Sequence, residues 1–224
     1  MKIKIKTPVP KEGIRDYSFF LEYIKIMGMV LFAISLTTPV LILIVTDLDI
    51  EVAGGHNSLV KQLIWDKPIL PYIAGFIILV VQWFKFVEVN HHLKTTNLKH
   101  ILITMGFFFF LCLYPFFEMN IEITSDQPHS RAIFSAAWGM LGIFQYWQLH
   151  YAHSSGLLEN NMSENRIKSL KREVLADPAV ALICTGLSYT NLVIWITGMI
   201  VLVPAMNYIM ARISIEKEHK QIKI

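Results

Sequence analysis

The sequence predicts an all-α integral membrane protein with six transmembrane helices and with both termini cytoplasmic. Three observations predict it: an apolar composition, long uncharged runs, and basic residues gathered on one side of those runs. The chain of 224 residues is 54% hydrophobic, above the about 45–50% usual for soluble domains, so the bilayer is its expected solvent. No repeat with a period of roughly 20–50 residues and no low-complexity tract divides it, and a single domain over residues 1–224 is expected.

The predicted spans are residues 22–46, 69–90, 99–118, 132–154, 178–190 and 193–211. Residues 26–45 carry no charge, and at about 1.5 Å per residue they cross a hydrocarbon core of roughly 30 Å. Lys2, Lys4, Lys6, Lys11 and Arg15 precede this run. The run is too long for a signal-peptide core and no small-residue cleavage site follows it, which predicts an uncleaved first helix. Residues 178–211 are also uncharged, but as one helix they would reach about 50 Å, too long for one crossing. Two short helices turning near residues 188–191 fit better.

Charge asymmetry supports this count. With a cytoplasmic N-terminus, the inner segments hold five bases in the N-tail, three around residues 85–99 (Lys85, Lys94, Lys99), four between Arg166 and Arg172, and four from Arg212 onward; the outer segments hold Lys61, Lys67 and Arg131. Bases collect on the cytoplasmic side of membrane proteins, and six spans return the basic C-tail to the side of the N-tail. The net charge of +3 is thus a topology signal, and no nucleic-acid partner is implied.

The loops carry less information. An outer loop over residues 46–68 holds Asp47, Asp49, Glu51 and Asp66, a Gly54-Gly55 turn and an apolar patch at residues 59–65 suited to the membrane surface or to capping the outer mouth. The outer link from Glu118 to Arg131 adds Glu118, Glu122 and Asp126, and such an acidic vestibule would concentrate cations, although acids are common in exposed loops. The inner loop over residues 156–177 has the spacing of a solvated surface helix. Cys112 and Cys184 fall within spans, as small apolar packing residues rather than a disulfide. Asn161-Met162-Ser163 matches a glycosylation pattern but lies in a predicted cytoplasmic loop, where it has no meaning.

Transport and catalysis inside a membrane need polar groups there, and the first span has the best of them: Ser35, Thr37 and Thr38 before Pro39. Ile34, Thr38 and Leu41 recur at helical spacing and share a face. Around an axis of several copies, rings of Ile34 and Leu41 would make an apolar constriction that gates by dewetting, with Thr38 between them. A helix packed by small polar residues and kinked by Pro39 fits the same pattern. His91, His92, His100, His150 and His153 collect at the cytoplasmic ends of spans two to four, where they could bind zinc or iron, sense pH, or simply sit at the interface. Glu22 and Lys25 form a helix-surface pair near the headgroups. No Gly-rich phosphate loop, Gly-x-Ser-x-Gly elbow or His-Glu-x-x-His motif is present, so soluble-type catalysis has no support, and neither enzymatic activity nor a cofactor is expected.

Several stretches resemble the transmembrane protein 175 family of potassium channels in its single six-span prokaryotic form. Phe32-Ala33-Ile34 followed by residues 35–43 is similar to that family's first helix. Gly75-Phe76, Leu79-Val80 and Trp83 resemble its second, Tyr114-Pro115-Phe116 the end of its third, and Pro178, Ser188-Tyr189, Asn191 and Pro204 the layout of its short last two helices. The family signature Arg-x-x-x-Phe-Ser-Asp would fall on Tyr23 and Met27-Gly28-Met29 and is missing, and the His-His pair stands eight residues after Trp83 instead of three. The resemblance implies an oligomeric, tetrameric channel for potassium or other monovalent cations in a lipid bilayer, with Ile34, Thr38 and Leu41 along the pore, Ser35 as polar lining, and a bacterial cytoplasmic membrane as its place, an endolysosomal membrane being the alternative. A membrane metalloenzyme or haem protein using the histidines, and a non-conducting module docking a partner through residues 156–177, stay open at this point.

Overall fold

The computed structural model describes residues 18–52, 69–123, 127–159 and 162–222. The bases of the N-tail, the Gly54-Gly55 turn, the patch at residues 59–65, Asp126 and Asn161 lie outside the described residues. Six helices follow in order: α1 (Ser18–Val52), α2 (Ile69–His91), α3 (Leu98–Ile123), α4 (Pro128–Ser154), α5 (Glu164–Leu187) and α6 (Leu192–Ile222). Among the described residues the only β pairing is a bridge between Leu93 and Leu158, which ties the α2–α3 link to the α4–α5 link, with Lys94 N donating to Leu157 O at 2.9 Å and Glu159 N to His92 O at 3.0 Å.

The helix starts follow local chemistry. Asn97 accepts from His100 N with its side chain, Ser163 from Arg166 N and Asn191 from Ile194 N, each satisfying a donor that a first turn leaves free. Pro128 opens α4, where its missing N–H costs nothing. Gly156, at φ 69°, turns the chain after α4 in a conformation that other residues rarely adopt. The turn between α5 and α6 falls on residues 188–191, with Thr190 N bonded to Leu187 O.

α1, α2, α3 and α6 contain segments long and apolar enough to cross a membrane: Phe20–Thr38, Ile73–His91, Leu98–Glu118 and Leu192–Met210. α4 and α5 do not meet that measure. α4 packs against α3, α5 and α2, and its polar residues Arg131, Ser135, Gln145 and Gln148 are buried in the bundle where lipid cannot reach them. Two of the six expected spans therefore lack compositional support of their own.

Segments expected to be loop or tail are helical here. α1 runs through Val52, so the outer loop begins later than residue 46, and α6 continues to Ile222, past residue 211. Residues 164–177, expected as a solvated inner-loop helix, are the first half of α5. Ile167, Leu170 and Val174 recur every three to four residues and pack with Leu149, Ala152, Leu157 and Val89 in a core cluster, so the segment is amphipathic and docked. Glu118 and Arg131, read as parts of an exposed outer link, are both buried.

α4 and α5 meet through small residues. A methyl group on Gly142 would stand 2.6 Å from Pro178 Cδ and 3.1 Å from Asp177 Cβ, and one on Gly139 3.1 Å from Ala181 Cβ. Such pairs let helix backbones approach closely inside membranes. Because the proline ring cannot rotate away, Gly142→Leu is expected to destabilise the folded protein by about 1–3 kcal/mol, the usual cost of overpacking. Thermal unfolding of the purified protein in detergent measures it.

Candidate functional site

α1 is divided lengthwise. Leu21, Ile24, Gly28, Phe32 and Ser35 face the bundle, while Ile26, Met29, Val30, Ile34 and Leu41 are exposed, Ile34 at 53% and Leu41 at 65%. The inner stripe repeats every three to four residues, as one packed helical face requires. It meets a cluster of rings: Phe86 stacks on Phe107 with centroids 5.4 Å apart and planes 6° apart, and Phe32 lies 5.8 Å from Phe86 and 6.0 Å from Phe107. Gly28 provides the notch for Phe86, since a side chain there would overlap the ring. The stretch where the resembled family carries its polar signature is, in this chain, this apolar notch.

The predicted pore residues separate on this helix. Ile34 and Leu41 lie on the exposed face and Thr38 at its border. Ser35 faces the other way: it is 2% exposed, and its hydroxyl donates to Leu111 O of α3 at 3.1 Å. It ties two helices together and is not on the face that carries Ile34. Thr38 donates to Ile34 O at 2.7 Å and Thr37 to Ala33 O at 2.9 Å. With their protons committed to backbone carbonyls, these hydroxyls offer lone pairs to whatever lies beside the helix.

The histidines do not converge. His100 is buried and pairs through Nδ1 with Thr96, at 3.0 Å; His91 and His92 meet edge to face; His150 stacks on Tyr146. His153 lies 3.0 Å from Lys171 Nζ and 3.4 Å from Glu164. Burial lowers the pKa of the Lys171 ammonium, and Glu164 opposes that shift. Among the described residues no group of three or more His, Cys, Asp or Glu side chains is placed to hold a metal ion.

A buried polar seam between α2, α4 and α5 goes unnoticed in the sequence. Lys85 Nζ lies 2.7 Å from Asp177 Oδ1 and donates to Glu173 O at 3.0 Å. Gln82 donates to Asp177 Oδ2 at 2.9 Å, and Gln145 donates to Gln82 O at 2.9 Å. At the loop end of the seam Arg166 pairs with Glu88 and lies 3.8 Å from Glu173, which accepts from Ser169. Among the described residues Gln82 Oε1, Gln145 Oε1 and both amide atoms of Gln148 are buried without partners, a condition in which an internal water or ion is commonly held. The sequence signals were Lys85 and Glu88, two charges near the inner end of the otherwise uncharged run over residues 69–90.

Residues 28–115, from the first third of α1 to the proline of α3, match the family model described as TMEM175, endosomal/lysosomal potassium channel TMEM175. No curated protein matches the chain. The matched family is described as one of potassium channels.

Proposed function

We propose, from the match of residues 28–115 to a potassium-channel family model, that this chain is a tetrameric potassium channel whose pore is lined by α1, with all six helices spanning the membrane and both termini cytoplasmic. The observation that carries the reading is the division of α1. One face is locked into the bundle by Phe32 and Ser35, and the other presents Ile34 and Leu41, both exposed among the described residues. Four copies meeting on that face bury it around an axis, with Ile34 and Leu41 as apolar rings and Thr38 at their edge. A dry ring of this kind closes a pore by dewetting. Hydroxyl oxygens whose protons are already spent favour cations over anions, which supports Thr38 and Thr37 as cation-facing groups. Ser35 drops out of the lining.

Ile34→Asn and Leu41→Asn are each expected to raise single-channel potassium current several-fold and to reduce discrimination against sodium, because a polar ring lowers the dewetting barrier. Planar-bilayer recording of the purified variants tests this, and unchanged currents in both would remove α1 from the pore. The parity of six spans and the basic inner segments support the common side of the termini. The histidines, which form no metal-holding group among the described residues, give the metalloenzyme reading no support, and Ile167, Leu170 and Val174 commit one face of residues 164–177 to the bundle, which weakens the partner-module reading.

A further inference from the structure

Lys85, Asp177 and Gln82 have no part in a pore lined by α1, yet they join two helices through a buried, charged contact. A buried ion pair is weak evidence for stability, because removing two charges from water offsets their attraction and apolar residues of similar volume serve as well. Ionisable groups buried between membrane helices are more often there for function. The geometry of this pair is directional. The Lys85 ammonium holds two points about one turn apart on α5, the Asp177 carboxylate at 2.7 Å and the Glu173 carbonyl at 3.0 Å. Gln82, nearly a turn earlier on α2, holds the second carboxylate oxygen at 2.9 Å. α2 and α5 are not closely packed neighbours, so these long side chains, with the Arg166–Glu88 pair, set how α2 sits along α5.

The residue after Lys85 carries that setting onward. Phe86 fills the notch at Gly28 and packs against Phe32, both on the inner face of α1, while Ile34 stands on the outer face of the same helix. A slide or rotation of α2 against α5 displaces Phe86, and the rigid ring cluster passes that displacement to α1.

We propose that Lys85, Asp177 and Gln82 are positioning residues for the pore: a polar clamp that fixes α2 on α5 and, through Phe86, sets the radial position of α1 and hence the probability that the Ile34 ring is open. The proposal rests on the channel reading above. Apolar contacts alone permit helices to slide, whereas three directional bonds on successive turns define one register.

Single-channel recording of the full chain in planar bilayers, with wild type as the control, tests it. The paired replacement Lys85→Met with Asp177→Leu removes the charges without stranding either one. It is expected to stay folded and tetrameric, to keep the wild-type unitary conductance, and to change open probability at least about fivefold, an apparent shift of roughly 1 kcal/mol in the gating equilibrium at RT ≈ 0.59 kcal/mol. An apolar pair that gates as wild type overturns the clamp. Should the apolar pair fail to fold, Gln82→Leu, which removes one of the three bonds and strands no charge, decides alone: altered open probability at unchanged conductance supports the clamp, and wild-type gating in a folded tetramer overturns it. Silence of the wild type itself would instead refute the channel reading.

Discussion

Asp177→Leu alone is expected to lower the stability of the folded protein by about 3–5 kcal/mol, the cost of leaving a buried charge without its partner. Lys85 retains 10% of its side-chain exposure and Asp177 2%, so water cannot replace the lost carboxylate. The Glu173 carbonyl would remain as an acceptor for the stranded ammonium, but a neutral oxygen does not balance a full charge. Pairing the change with Lys85→Met removes the stranded ion and should recover most of the loss, because desolvation then no longer opposes folding. Thermal unfolding in detergent reads both, and a single variant melting with the wild type would show that the ammonium finds solvent.

Arg131→Met is expected to cost roughly 2–4 kcal/mol and to loosen the end of the bundle where α5 turns into α6. Arg131 is buried, and its guanidinium donates from Nε and Nη2 to Ser188 O and from Nη2 to Thr190 O, at 2.8–3.0 Å. Ser188 caps the C-terminus of α5 and Thr190 lies in the turn that follows, so their carbonyls lie where the helical ladder has stopped, and a cation at a helix C-terminus also meets the favourable end of its dipole. Hydrogen bonds from a charged donor are worth about 1.5–3 kcal/mol each, less than additively when shared. Lysine supplies the charge without the planar fork, so Arg131→Lys should recover only part of the loss. Hydrogen exchange at residues 188–191 should quicken in Arg131→Met while that of Leu111, on a distant turn of α3, stays unchanged.

The all-helical fold was legible in the sequence because long uncharged runs have few other uses, and the break in the run over residues 178–211 follows from length alone. Helix ends were less legible. Charged residues at 166–173 look like a solvated loop, yet Ile167, Leu170 and Val174 among them form a buried stripe, and Arg166 and Lys171 find partners on neighbouring helices. Lys85 and Arg131 count by sequence as topology-setting bases, one inner and one outer. Their roles depend on partners 92 and 57 positions away, Asp177 and Ser188, which no local pattern announces. On α1, spacing placed Ile34 and Leu41 together, but it could not tell that Ser35, one residue on, turns inward to Leu111. That distinction needs the third helix.

The central claim is selective cation conduction by this chain, and the measurement that tests it most directly is potassium flux from liposomes holding the purified protein, with sodium as the comparison. Potassium efflux well above that of protein-free vesicles, with sodium markedly slower, is the predicted result. Folded, inserted protein that passes neither ion would contradict the account.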